Sequence, residues 1–155
     1  MNTFPEVKKK FGFGCMRLPM DGEKVDYAEF TKMVDEFMTQ GFNYFDTARV
    51  YLGGQSETAI RDCVVKRYPR ESFILTDKLS GALFNSEEEV RPLFEKQLES
   101  CGVDYFDFYL MHAQTKTIFE KYKYSIIVIY PLNIQIQVFI LFLKFYYIWI
   151  VNKCI

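Results

Sequence analysis

An excess of one charge is the first thing missing from this chain. Its 155 residues carry 19 Lys and Arg against 20 Asp and Glu, a formal net charge of −1. No global field points toward nucleic acid or an anionic membrane surface. Clustered cysteine is missing too. Cys15, Cys63, Cys101 and Cys154 are far apart, so they offer neither a metal-ligand spacing nor a disulfide framework. The start, MNTFPEVKKK, is polar and no apolar run follows it, so no signal peptide is visible. No repeat of fixed period occurs. The segment FGFGCMRLPM (11–20) has G-x-G but no third glycine opening a helix, which excludes a dinucleotide fingerprint. A reducing cytosol is the simplest compartment for such a chain.

What is present is an alternation of strand and helix patterns. Residues 11–20 read as a short strand ending at Pro19. Asp26 to Gln40 reads as a helix: Asp26 caps it with Glu29 three residues on, and Gly41 stops it. Its apolar stripe is Tyr27, Phe30, Met33, Val34, Phe37 and Met38. FNYFDTARVYLGGQSE (42–57) begins as an aromatic strand and ends where Ser56 and Glu57 suit an N-cap and first turn. The spacing predicts a second helix over 56–68, buried through Ile60, Cys63, Val64 and Tyr68 and ended by Pro69. SFILTDKL (72–79) reads as the next strand. Ser86 to Cys101 reads as a third helix, opened by the capping box Ser86/Glu89, with Val90, Leu93, Phe94, Leu98 and Cys101 as its stripe. DYFDFYLMHA (104–113) is a nearly continuous apolar strand, as befits a parallel strand covered on both faces.

Strand–helix alternation of this kind implies a parallel sheet with right-handed crossovers. The C-terminal ends of all its strands then lie on one rim. Asp46, Lys78 and His112, the only histidine, end three successive strands, and Tyr51 follows Asp46 in the same loop. Alone, each has an ordinary structural explanation; together they converge. An ammonium beside a phenol, held by a carboxylate, makes a workable general acid, and a histidine beside it can hydrogen-bond a carbonyl oxygen. No side chain delivers a hydride, so reduction would need a cofactor.

On FGFGCMRLP, GFNYFDTARVY followed by SE, ILTDKL and DFYLMHA, the chain resembles the aldo-keto reductases over about residues 10–120. The resemblance implies a (β/α)8 TIM barrel that reduces a small-molecule carbonyl with NADPH, or runs the reverse oxidation with NADP. It maps the four catalytic positions onto Asp46, Tyr51, Lys78 and His112. Tyr51 would be the proton donor, tuned by Lys78 and Asp46, with His112 positioning the carbonyl. Gly12, Gly14, Cys15, Met16 and Asp46 would border the nicotinamide end of the cofactor. A departure follows the tyrosine: Tyr51-Leu52-Gly53-Gly54 resembles a subgroup whose members can carry a C-terminal iron–sulfur extension, yet no cysteine cluster for one is present.

The resemblance ends near Lys123, and a full barrel needs about 250 residues. The expected fold is therefore α/β: half a barrel of about four βα units over 1–123, followed by an apolar tail over 124–155. The site for the cofactor's adenosine phosphate and pyrophosphate, implied on later strands, would be missing, and the chain alone is expected to be inactive. Its first and fourth strands would be unpaired edges. The tail contains no Gly, Ala, Asp, Glu, Arg or Thr and reads as out-of-frame or non-coding translation. A rival reading makes 126–151 a membrane span, for which about 20 residues suffice. Pro131, Asn133, Gln135, Gln137 and Lys144 interrupt it and disfavour that. A third reading has the tail fold over the half barrel, since Ile134, Ile136 and Val138 alternate with Gln135 and Gln137. For function, the alternative classes are a non-catalytic binding or regulatory module and a protein anchored to a membrane by the tail. Substrate and oligomeric state are not legible.

Overall fold

The computed structural model describes residues 4–113, 115, 135–143 and 146–154. The boundary at 123 and the residues Pro131, Asn133, Ile134 and Lys144 lie outside them. Strand β1 (Gly12–Gly14) pairs in parallel with β4 (Tyr44–Asp46), β4 with β5 (Ile74–Ser80), and β5 with β6 (Phe108–His112). Helices α1 (Tyr27–Thr39), α2 (Gln55–Ile60) and α3 (Val90–Cys101) connect them. This is the βα progression of a barrel's first half. The expected strand over 11–20 is shorter than its pattern. After Gly14 the chain leaves the sheet, and Met20–Asp21 (β2) and Lys24–Val25 (β3) form a separate small hairpin.

Alternation along each strand divides the two faces. Phe45 points to the helices and is fully buried. Its ring meets Phe37 at 5.2 Å, Phe13 at 5.9 Å and Phe73 at 6.4 Å. Tyr44 points the other way, into the barrel side, where Thr76 Oγ1 donates to its hydroxyl at 2.7 Å. A Cβ at position 12 would lie 2.7 Å from Tyr44 Cδ1, so only glycine fits beside that ring.

Local signals set α1 as expected: Asp26 Oδ1 accepts from Glu29 N–H at 2.9 Å, and Gly41 takes a φ of 80°. Its buried residues are Phe30, Val34 and Phe37, whereas Tyr27 and Met33 lie exposed at the stripe's margin. The second helix differs from its reading. Gly54, at φ 91°, stands in the capping place; Ser56 is inside the helix, and Arg61–Val65 widens into a π-type turn. The third helix begins at Val90 after a 3₁₀ turn over Glu87–Glu89, and Ser86 makes no capping bond. The expected box does not form: Glu89 Oε2 accepts instead from Asn85 N–H at 2.8 Å, one residue before Ser86.

At the far side, β7 (Gln135–Leu143) and β8 (Tyr146–Cys154) form an antiparallel hairpin, and β8 runs antiparallel to β6. The sheet order is β1-β4-β5-β6-β8-β7. The fourth barrel strand is thus not an open edge. The tail extends the sheet sideways rather than folding across it, because an exposed strand edge offers ready main-chain partners. Among the described residues no helix is long and apolar enough to cross a membrane.

Candidate active site

Strands β4, β5 and β6, with the loop after β4, deliver the four residues to the same rim. Asp46 is the last residue of β4, in register with Gly14 on one side and Thr76 on the other. Lys78 lies two residues past Thr76 and is only 8% exposed. Its Nζ donates to Asp46 Oδ1 at 2.5 Å and to the Thr47 carbonyl at 2.8 Å. Tyr51 comes from the loop after β4, and Lys78 Nζ sits 4.9 Å from its ring centroid. His112 closes β6 with its ring edge-on to Tyr51, centroids 5.5 Å apart at 86°. Asp46, Tyr51, Lys78 and His112 therefore form one contiguous group.

The loop carrying Tyr51 is held by a buried polar frame. Arg49 Nη1 donates to Glu57 Oε2 at 2.7 Å and to Ser100 Oγ at 3.2 Å. Glu57 is fully buried, and burial raises its carboxyl above the ordinary value despite Arg49. Leu52 adopts φ 51° inside the turn that follows Tyr51, a conformation L-residues rarely take. Ser56 Oγ donates to the Cys15 carbonyl at 2.9 Å and lies 2.7 Å from Thr47 Oγ1. That tertiary use explains why Ser56 is not a cap: its hydroxyl fastens the end of β1 to the loop after β4.

Two supporting residues had no prominence in the sequence. Ser80 Oγ shares a 2.7 Å hydrogen bond with His112 Nδ1, fixing the ring's orientation. Burial, reinforced by the Lys78 ammonium and opposed by Asp46, lowers the His112 imidazole below its usual 6.5. That shift favours the neutral ring. Gln97 is fully buried on α3, where it donates to the Lys78 carbonyl at 3.1 Å. Its signal was a polar residue in helical register with Val90, Phe94 and Cys101, amid a buried stripe.

Of the residues expected near a nicotinamide, Gly14 faces open space: a Cβ there would meet nothing within 4 Å. Met16 is 48% exposed beside it. Cys15 is buried, with its N–H donating to the Asp46 carbonyl at 2.8 Å and its carbonyl taken by Ser56. Burial pushes its thiol well up, so it is an inert thiol of the core. Gly12 is filled over by Tyr44. Gly14, in register with Asp46, and Met16 thus leave open surface of the kind that a flat ring at the reacting end would need. A groove of about 590 Å³ lies elsewhere, between α1 and the β1 edge, and none of the four residues lines it.

Comparison with known proteins agrees with the parallel βα fold. The chain is 34% identical over 106 residues to 4-dihydromethyl-trisporate dehydrogenase of Mucor mucedo, covering 65% of this chain and 30% of that protein. It is 32% identical over 114 residues to an NAD(P)H-dependent D-xylose reductase of Hypocrea jecorina, covering 70% and 34%. The chain thus spans about a third of the length of these relatives. Among solved structures, an aldo-keto reductase from Bacillus halodurans in its holo form superposes with a TM-score of 0.57 at 26% identity, over 74% of this chain and 42% of that one. One from Klebsiella pneumoniae in complex with NADPH shares the fold, with a TM-score of 0.57 at 19% identity over 72% and 40%. The model of the aldo/keto reductase family matches residues 10–123, and by that match the chain belongs to the aldo/keto reductase family.

Proposed function

We propose that this chain carries the proton-donating part of a carbonyl reductase site, acting on a small-molecule carbonyl or, in reverse, its alcohol. NADPH, when bound, supplies the hydride. Tyr51 donates the proton to the oxygen that becomes negative. Lys78 stabilises the phenolate left behind, and Asp46 keeps the ammonium in place. His112, neutral and oriented by Ser80, donates a hydrogen bond to the carbonyl oxygen and holds it toward Tyr51. One observation carries the reading: a single buried ammonium sits 2.5 Å from a carboxylate oxygen and 4.9 Å from a phenol ring. Lysine is almost never this buried unless paired, and here the pairing sets the ammonium beside a phenol.

The reacting end of the cofactor would lie against Gly14, Met16 and Asp46. Residues 1–155 span about a third of the length of these relatives, so we infer that by themselves they bind NADPH weakly and turn over only with further βα units. The test joins residues 1–120 to the second half of a related aldo-keto reductase. Tyr51→Phe should cut carbonyl reduction roughly 100-fold or more, the scale of losing a general acid. NADPH affinity should stay unchanged. A Tyr51→Phe protein that keeps most of its rate would move the acid elsewhere, with His112 the first candidate. Saturable micromolar NADPH binding by residues 1–155 alone would overturn the inference of weak binding.

A further inference from the structure

The β4–β5 ladder ends in an unusual way at Lys78. Thr47 N–H donates to the Thr76 carbonyl at 2.9 Å, so the main chain of Thr76 faces β4. Two residues on, the alternation of a strand turns Lys78 N–H and C=O to the same side. There β4 has already ended, and the chain has departed into the Tyr51 loop. The Thr47 carbonyl, the next acceptor in the ladder, takes the Lys78 ammonium instead. Lys78 N–H is met by Asp77 Oδ1 at 2.7 Å, and its C=O by Gln97 Nε2 at 3.1 Å. Both main-chain groups of the lysine are thus held by side chains rather than by a strand.

Gln97 is itself fixed. Tyr109 on β6 donates its hydroxyl to Gln97 Oε1 at 2.5 Å, and Tyr109 pairs in register with Asp77. Gln97 is 0% exposed and Tyr109 5%, so both bonds lie where an unmet polar group is costly. One amide therefore ties α3 and β6 to the main chain of the lysine whose ammonium reaches Asp46. We propose that Gln97 is a positioning residue: by holding the Lys78 carbonyl where β4 has left the sheet, it sets where the Lys78 ammonium lies between Asp46 and Tyr51. The inference rests on the reading of Lys78 as support for a proton donor, but its structural half can be tested apart from activity.

The experiment is trace acetylation of the full chain with acetic anhydride, read lysine by lysine by mass spectrometry. Exposed Lys32 and Lys96 serve as internal references. Gln97→Met keeps the volume and removes both bonds. Labelling of Lys78 relative to the references should rise roughly threefold to tenfold, the scale of one lost hydrogen bond. Labelling of the buried Cys15 thiol should not change. Tyr109→Phe, which frees Gln97 without removing it, should move the ratio the same way by less, and it carries the test if Gln97→Met does not fold. A Lys78 ratio at the wild-type value would overturn the proposal. So would a rise matched by Cys15, because that is general loosening. In the completed barrel, Gln97→Met should lower kcat and leave KM for the carbonyl unchanged. If Tyr51→Phe is without effect there, the reading of the rim fails, while the labelling ratio still decides the case for Gln97.

Discussion

Removing the Arg49 guanidinium should be costly at neutral pH and far less so in acid. Glu57 is fully buried and Oε2 meets Arg49 at 2.7 Å, while Oε1 has no hydrogen-bond partner among the described residues. Arg49→Met would leave that carboxylate buried and unpaired. Breaking a buried ion pair from one side costs about 3–5 kcal/mol. Because the Arg49 side chain keeps 31% exposure, the lower end, about 3 kcal/mol, is expected. Burial already raises the Glu57 carboxyl above its ordinary 4.5, and losing Arg49 raises it further. A carboxyl raised on folding binds more protons in the native state, so stability falls as pH rises from the unfolded value through the folded one. At about pH 4 the group is largely protonated in both states, and the penalty shrinks toward about 1 kcal/mol. Urea unfolding followed by far-UV circular dichroism at both pH values measures this. Adding Glu57→Gln should recover most of the neutral-pH loss. An equal cost at both pH values, or no recovery with Glu57→Gln, would refute the unpaired carboxylate as its source.

Phe45→Ala should lower stability by about 3–5 kcal/mol, since it leaves a cavity among Phe13, Phe37 and Phe73; an urea midpoint shift equivalent to under about 1 kcal/mol would contradict that packing. Deleting residues 124–155 removes β8 from Phe108–Leu110. Amide exchange along that edge of β6 should then quicken and the soluble fraction fall; unchanged exchange would mean that the hairpin does not pair there.

Much of the scaffold could be read because its signals are local. Asp26 and Glu29 cap α1 within one turn, and the apolar stripes of α1 and α3 follow from period alone. The convergence of Asp46, Lys78 and His112 followed from topology, since parallel strands bring their C-terminal ends to one rim. What failed were local signals overridden by distant partners. Ser56 carries a capping residue's chemistry, but its hydroxyl is taken by Cys15, 41 residues away in sequence. Gln97 and Ser80 acquire meaning only once α3 lies over β5 and β6 lies beside it, contacts that no spacing announces. In the tail, alternation around Gln135 and Gln137 correctly suggested a strand. Its docking beside β6, rather than across the sheet, depended on which edge was open.

The charges of Lys78 and Asp46 should act on His112 across the rim. His112 is the only histidine in the chain, so its imidazole resonance can be titrated by NMR without ambiguity. It should titrate below the ordinary 6.5, because burial and the Lys78 ammonium both disfavour the imidazolium. A histidine lowered on folding also withdraws stability as pH falls from the unfolded value through the folded one. Lys78→Met should move the midpoint upward, and Asp46→Asn, which removes the opposing charge, should move it further down. An imidazole titrating at its ordinary value and unmoved by Lys78→Met would contradict the account.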